Sequence, residues 1–171
     1  MIRWIGLAVA SAVIAGCAGM MAGGPSATAT LEPTQGNNTR GTVDFVQKGD
    51  KVAFTAKMSG LPPGGHGFHI HEKGDCNSPD GMSAGAHFNP MGKVHAHPSD
   101  PDHHAGDMPM LTADPAGVVY ATGELDVISI GSGAADIVGK AVIVHKDPDD
   151  FKTQPTGNSG ARLACGVIRR N

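Results

Sequence analysis

Along most of the chain, apolar and polar positions alternate with a period of two. In Lys51-Val52-Ala53-Phe54-Thr55-Ala56-Lys57-Met58, the side chains of Val52, Phe54, Ala56 and Met58 share one side, while Lys51, Thr55 and Lys57 share the other. This is the pattern of a half-buried strand. Similar segments run over Thr42 to Gln47, Gly67 to His71, Val118 to Val127, Ala141 to His145 and Arg162 to Ile168. Most are separated by turn-forming sequences such as Lys48-Gly49-Asp50 and Asp114-Pro115-Ala116-Gly117. Helical periodicity is hard to find, so the pattern predicts an all-β sandwich or barrel. Two stretches break the rhythm, Lys73 to Pro109 and Lys146 to Gly160. Connections that long in a compact domain usually carry function.

A length of 171 residues fits one domain. The 25 Gly and 12 Pro, set against five Phe, one Trp and one Tyr, suggest many turns and a core of Val, Ile, Leu and Ala. The formal net charge of -3 argues against a nucleic-acid partner, which a basic chain would suit.

The N-terminus reads as an address. Arg3 is the only charge before Glu32, and the apolar run from Ile5 to Ala15 is short for a membrane span of about 20 residues. It suits a signal peptide. Ile14-Ala15-Gly16-Cys17 resembles a bacterial lipoprotein box, in which cleavage leaves the cysteine to be acylated. Acyl chains contribute about 0.8 kcal/mol per buried methylene, so several on Cys17 would anchor stably. The expected organisation is a signal peptide over residues 1–17, a flexible tether over 18–30 with order setting in near Ala27, and a folded domain over 31–171. The expected location is the periplasm with a lipid anchor in the outer membrane, or the soluble periplasm if cleavage is of the ordinary kind. That anchor is the only expected membrane contact. With Cys17 lipidated, Cys76 and Cys165 remain as a pair for which a disulfide is the default in an oxidising compartment. Closing so long a loop is worth roughly 4 to 5 kcal/mol in the chain-entropy model.

All nine His lie from His66 onward, and eight of them fall between His66 and His104. On a strand, His69 and His71 point to one face, and two imidazoles on a rigid support can share copper or zinc. Glu72 does not make this a zinc-protease motif, which needs His-Glu-x-x-His on a helix. Downstream come His87, His95, His103-His104 and Asp107. Three imidazoles and a carboxylate suffice for tetrahedral zinc. His145 follows the apolar segment from Ala141 to Val144, which could return it to the side of His69 and His71. No nucleophile motif, phosphate-binding Gly loop or carboxylate pair competes with metal chemistry.

These residues resemble the secreted bacterial Cu/Zn superoxide dismutases. The resemblance runs through His66-Gly67-Phe68-His69-Ile70-His71-Glu72, Gly74-Asp75-Cys76, Ala84-Gly85-Ala86-His87-Phe88-Asn89-Pro90, His104-Ala105-Gly106-Asp107 and Val144-His145. It ends in Gly157-Asn158-Ser159-Gly160-Ala161-Arg162-Leu163-Ala164-Cys165-Gly166 and covers the chain from about Ala27. It implies an eight-stranded Greek-key barrel, with a zinc loop over Lys73 to Pro109 and an electrostatic loop over Lys146 to Gly160. By the same resemblance His69, His71 and His145 bind copper, His87 bridges copper and zinc, and His95, His104 and Asp107 complete the zinc site. Asp149 matches an aspartate that hydrogen-bonds His69 and His95 from outside the metal shell. Arg162 matches an active-site arginine, and Lys152 is a candidate for steering the anion. His66 resembles a structural barrel residue, and His97 and His103, without assignment, are expected to face solvent.

The implied reaction is superoxide dismutation to oxygen and hydrogen peroxide, by alternating reduction and reoxidation of copper beside a structural zinc. Members of the family occur as monomers and homodimers. A metal carrier on the same fold would be expected to lack copper ligands or the arginine, and this chain lacks neither.

Overall fold

The computed structural model describes residues 23–171. The expected signal peptide, Cys17 and the first part of the tether therefore lie outside the described residues. Nine strands follow in chain order: β1 (Ser26–Pro33), β2 (Arg40–Lys48), β3 (Lys51–Ser59), β4 (Gly64–His66), β5 (Phe68–His71), β6 (Leu111–Ala113), β7 (Val119–Leu125), β8 (Ala141–His145) and β9 (Arg162–Arg170). Among the described residues the only helical element is a single 3-10 turn at Met82–Ala84.

Seven strands form one sheet in the order β5-β8-β9-β1-β2-β3-β7, and β4 pairs with β6. Every ladder is antiparallel. Gly67 alone separates β4 from β5, and its N–H leaves the ladder to donate to the Asp147 carbonyl at 2.9 Å. Counted as one interrupted strand, β4 and β5 bring the total to the eight expected of the barrel.

Alternation fills the interior. In β3, Val52, Phe54, Ala56 and Met58 are buried and the residues between them are at least partly open. Val43 and Phe45 of β2 join them, together with Phe68 and Ile70 of β5 and Val142 and Val144 of β8. Phe54 and Phe68 meet edge to face, with ring centroids 6.1 Å apart. That geometry contributes about 0.5 to 1.5 kcal/mol beyond burial.

Order sets in close to the expected Ala27, and the bound of the tether at residue 30 is corrected. Residues 26–30 belong to β1 and not to a flexible tether, because Ala27, Ala29 and Leu31 are completely buried and Thr28 pairs outward with Asp44. Small apolar residues carry a period-2 pattern that composition alone makes resemble a linker. β1 joins β2 to β9 and so links the two parts of the sheet.

A second, smaller apolar cluster lies outside the barrel. Ala141 and Ile143 of β8 pack with Cys165 of β9 and Ala84 of the 73–109 loop, against Cys76. The Cys76–Cys165 disulfide closes this layer, with its Cα atoms 5.7 Å apart and 89 positions between its ends. This layer buries the outer face of β8, and β5 beside it is likewise buried on both faces.

Candidate metal centre

The i, i+2 spacing on β5 turns His69 and His71 outward while Phe68 and Ile70 fill the barrel. The two loops cover them, and both imidazoles are completely buried. His69 is bridged to Asp107 and His71 to His87 across the sheet edge. Pairing of β5 with β8, in the register His69 to Ile143, carries His145 back to the same face.

The buried nitrogens sort into two sets. His71 Nδ1 donates to the Gly85 carbonyl at 2.9 Å and His145 Nδ1 to the Gly160 carbonyl at 3.2 Å. These bonds leave the two Nε2 atoms facing each other at 3.3 Å. His69 turns Nε2 to Asp149 Oδ2 at 2.6 Å, and its Nδ1 has no partner. His87 stacks on His69 with ring centroids 3.9 Å apart, and its Nε2 is also unpartnered. His69, His71, His87 and His145 thus bring one ligand atom each within 4.8 Å of one another.

The second set converges on Asp107 Oδ1, which lies 3.1 Å from His87 Nδ1, 2.9 Å from His95 Nδ1 and 3.5 Å from His104 Nδ1. The other carboxylate oxygen accepts the backbone N–H groups of Ala96 and His104 at 3.2 and 3.0 Å, which fixes its direction. His69, His87, His95 and Asp107 also have ligand atoms within 4.8 Å of one another. However, His69 Nε2 is engaged by Asp149, whereas His104 Nδ1 has no hydrogen-bond partner. His104 can therefore join His87, His95 and Asp107 around this carboxylate, and His87 belongs to both groups.

Three unpartnered buried imidazole nitrogens are a cost unless something binds them. The electrostatics agree with a cation. Burial pushes His87 down to about 4 and holds His71 and His145 well below the ordinary histidine value, their neighbouring imidazoles adding to it. Burial also lowers His69, against the pull of Asp149. These four rings are neutral near pH 7, the form in which imidazole ligates. Burial would raise Asp107, but the His104, His87 and His95 imidazoles that face it outweigh burial and hold the carboxyl well below the usual range. His95 differs from the other rings. Burial opposes its charge, yet hydrogen bonds to Asp107 and Asp149 raise it to about 9, so a metal bound there would have to displace a proton. The residues fit a copper and zinc pair: four imidazole nitrogens in one set, three imidazoles and a carboxylate in the other.

Asp149 joins the two sets, with Oδ2 on His69 and Oδ1 on His95 Nε2 at 2.9 Å. Gly157 permits this, because its φ is +64° and a Cβ there would fall 1.8 Å from Asp149 Oδ1. A cleft of about 500 Å³ leads to His145, and Arg162, Thr156 and Ser159 line it together with Asp80 and Met82. Arg162 donates from Nη1 to the Gly81 carbonyl at 2.8 Å and from Nη2 to that of Gly85 at 2.7 Å. The Gly85 carbonyl therefore serves Arg162 and His71 together.

Lys152 is exposed and does not line the cleft. His97 is exposed as expected, but His103 is buried, contrary to expectation, with Nδ1 2.7 Å from the His104 carbonyl. His66 is buried, with its ring nitrogens 2.9 Å from the His145 carbonyl and 2.8 Å from that of Pro62. Asp80 on the cleft wall, and Phe151 and Gln154 beside His95, carry no motif that sequence reasoning could have used.

The model for copper/zinc superoxide dismutase (SODC) matches residues 39–168. The extracellular superoxide dismutase [Cu-Zn] of Haemonchus contortus is 41% identical over 147 residues, which span 81% of this chain and 79% of the relative. The crystal structure of the clock protein EA4 superposes with a TM-score of 0.77 at 39% identity, over 84% of this chain and 93% of that one. With its barrel, its two ligand sets and these matches, the chain belongs to the copper/zinc superoxide dismutase family.

Proposed function

We propose that the chain dismutates superoxide at a copper held by His69, His71, His87 and His145, beside a zinc held by His87, His95, His104 and Asp107. The observation that carries this reading is the shared imidazole, His87, with Nδ1 toward Asp107 and Nε2 unpartnered beside His69. When bound, copper supplies the one-electron exchange that converts one superoxide to oxygen and another, with two protons, to hydrogen peroxide, while zinc supplies fixed positive charge without redox chemistry.

The chain's own groups do the rest. Gly85 and Gly160 carbonyls fix the orientation of His71 and His145, and Asp149 fixes His69 and His95. His87 Nε2 is the atom at which that ring can hold or release a proton beside the copper set. Arg162, tied to two carbonyls on the cleft wall, presents a guanidinium to a small anion in a chain of net charge -3. Exposed Lys152, on the 146–160 loop, adds long-range attraction.

The Ile14-Ala15-Gly16-Cys17 sequence supports a bacterial lipoprotein, with a signal peptide over residues 1–17, Cys17 acylated and the barrel exported to the periplasm on an outer-membrane anchor. Export also suits the Cys76–Cys165 disulfide.

The test is superoxide consumption by the purified protein, with copper and zinc measured on the same sample. Near-stoichiometric metals and fast turnover are expected. Full metals without turnover would leave a carrier in place of an enzyme.

A further inference from the structure

We propose that Gln154 is a positioning residue for the zinc site, acting through the backbone of His95. The inference rests on the assignment of His95 as a zinc ligand.

His95 lies outside every strand, in the long 73–109 loop. Its backbone N–H and C=O are both taken by one side chain. Gln154 Oε1 accepts from His95 N–H at 2.8 Å, and Gln154 Nε2 donates to the His95 carbonyl at 2.7 Å. This paired clasp reproduces what a neighbouring strand would supply, and it comes from the other loop, 59 positions away. Two bonds in parallel fix rotation as well as position, which one bond cannot do.

The surrounding residues show that the clasp is part of a strap. Phe151 adopts φ +55°, a conformation that a bulky side chain rarely takes. That bend lets its N–H donate to Asp149 Oδ1 at 2.7 Å. It also lays the Phe151 ring parallel to His95, with an interplanar angle of 14° and centroids 6.4 Å apart. Residues 149–154 thus reach His95 directly in two ways, Asp149 at Nε2 and Gln154 at the backbone, with the Phe151 ring parallel and offset nearby. Asp107, which faces His95 Nδ1, is fixed partly through Ala96 N–H, which belongs to the same peptide whose carbonyl Gln154 holds. Rotation at His95 would therefore disturb two donors of the zinc set at once. Outer partners that orient a metal ligand typically govern 10–100-fold of metal affinity.

The test titrates zinc into metal-free full-length protein and its Gln154→Met and Gln154→Ala variants, and records cobalt(II) absorption at the same site as a reporter of geometry. Methionine keeps the bulk of glutamine and removes both hydrogen bonds. Both variants are expected to bind zinc about 10–100-fold more weakly and to shift the cobalt(II) spectrum. Copper affinity at the other set should stay within about twofold of the parent, since Gln154 touches none of its rings. Zinc affinity within twofold of the parent in Gln154→Met, with an unchanged cobalt(II) spectrum, overturns the proposal and reduces Gln154 to packing. Should Gln154→Ala fold poorly, the isosteric Met variant decides. A His95→Ala control separates the two levels. If it retains tight zinc, the ligand assignment itself fails; if it loses zinc while Gln154→Met does not, only the clasp fails.

Discussion

The barrel has two walls built by the same rule, and they end in different chemistry. On the wall of β2, β3 and β7, apolar residues point inward and the outer face is Thr, Lys and Glu open to water, with exposed Tyr120 beside Lys57. On the wall of β5 and β8, the inward residues are equally apolar, but the outward ones are covered by the loops and buried as well. A strand needs only one apolar face to be stable. Covering the second face creates a dry layer on a rigid support, where imidazoles keep fixed directions and ordinary solvation cannot satisfy them. The centre therefore sits on the outside of the barrel and yet in the interior of the protein.

The largest expected effect comes from deleting one ligand on the covered wall and one residue on the open wall. His71→Ala is expected to lose copper and to reduce dismutation to the uncatalysed rate. Lys57→Ala, outward-facing on β3, should leave both unchanged and alter stability by no more than about 0.5 kcal/mol. Metal analysis and superoxide assays on the purified pair check this. Equal losses in both would remove the distinction between the walls.

Next in size is the disulfide that fastens the cover. Replacing Cys76 and Cys165 together by Ser is expected to cost about 2–5 kcal/mol in denaturant unfolding. The loss should be uneven. Hydrogen exchange should accelerate in the 73–109 loop before it changes in β2 and β3, because the second apolar layer closes on Cys76 and Cys165. Uniform acceleration would mean that the loop is not separately anchored.

The same contrast explains what was legible in the sequence. Strands with large inward residues, such as Val52 and Phe54, show their period directly. β1 does not, because Ala27 and Ala29 are too small to stand out from a Gly- and Ala-rich leader, and only the sheet shows them buried. β4 and β6 span three residues each, too few for any period to register. At the site, the pair His69 and His71 is local and readable as a shared strand face. The gathering of His87, His95, His104 and Asp107 depends on loop paths, and spacing alone carried it only through family resemblance. The orienting partners are less readable still. Gln154 acts on a backbone, which leaves no mark on which residue sits at position 95, and the burial of His103 rests on a contact with the His104 carbonyl that no sequence pattern signals.

A smaller effect is expected at the cleft. Arg162→Ala should slow dismutation about tenfold, within the range attributed to electrostatic steering, and flatten its dependence on ionic strength. Copper should remain, because the Gly85 carbonyl still orients His71 after the guanidinium is gone. Stopped-flow rates across a salt series, with copper content measured in parallel, check both statements. Copper loss would instead make Arg162 a support of the 81–85 turn.

The smallest effect is at Asp80, whose carboxylate lines the same cleft as Arg162 and opposes an incoming anion. Its charge persists at neutral pH, because the Met82 N–H and the Ser78 side chain stabilise the ionised form, helped by Arg162. Asp80→Asn keeps an oxygen to accept the Met82 N–H at 2.9 Å, so the turn is preserved while the charge is removed. Across roughly 10 Å of water one unit charge alters an anion's encounter by about twofold. Dismutation by the Asn variant should therefore rise about twofold at low ionic strength and return to the parent rate when the Debye length shrinks to about 3 Å in molar salt. An increase that survived molar salt would place the effect in the cleft's shape and not its field. No increase at low salt would mean that Arg162 alone sets the potential at the mouth of the covered wall.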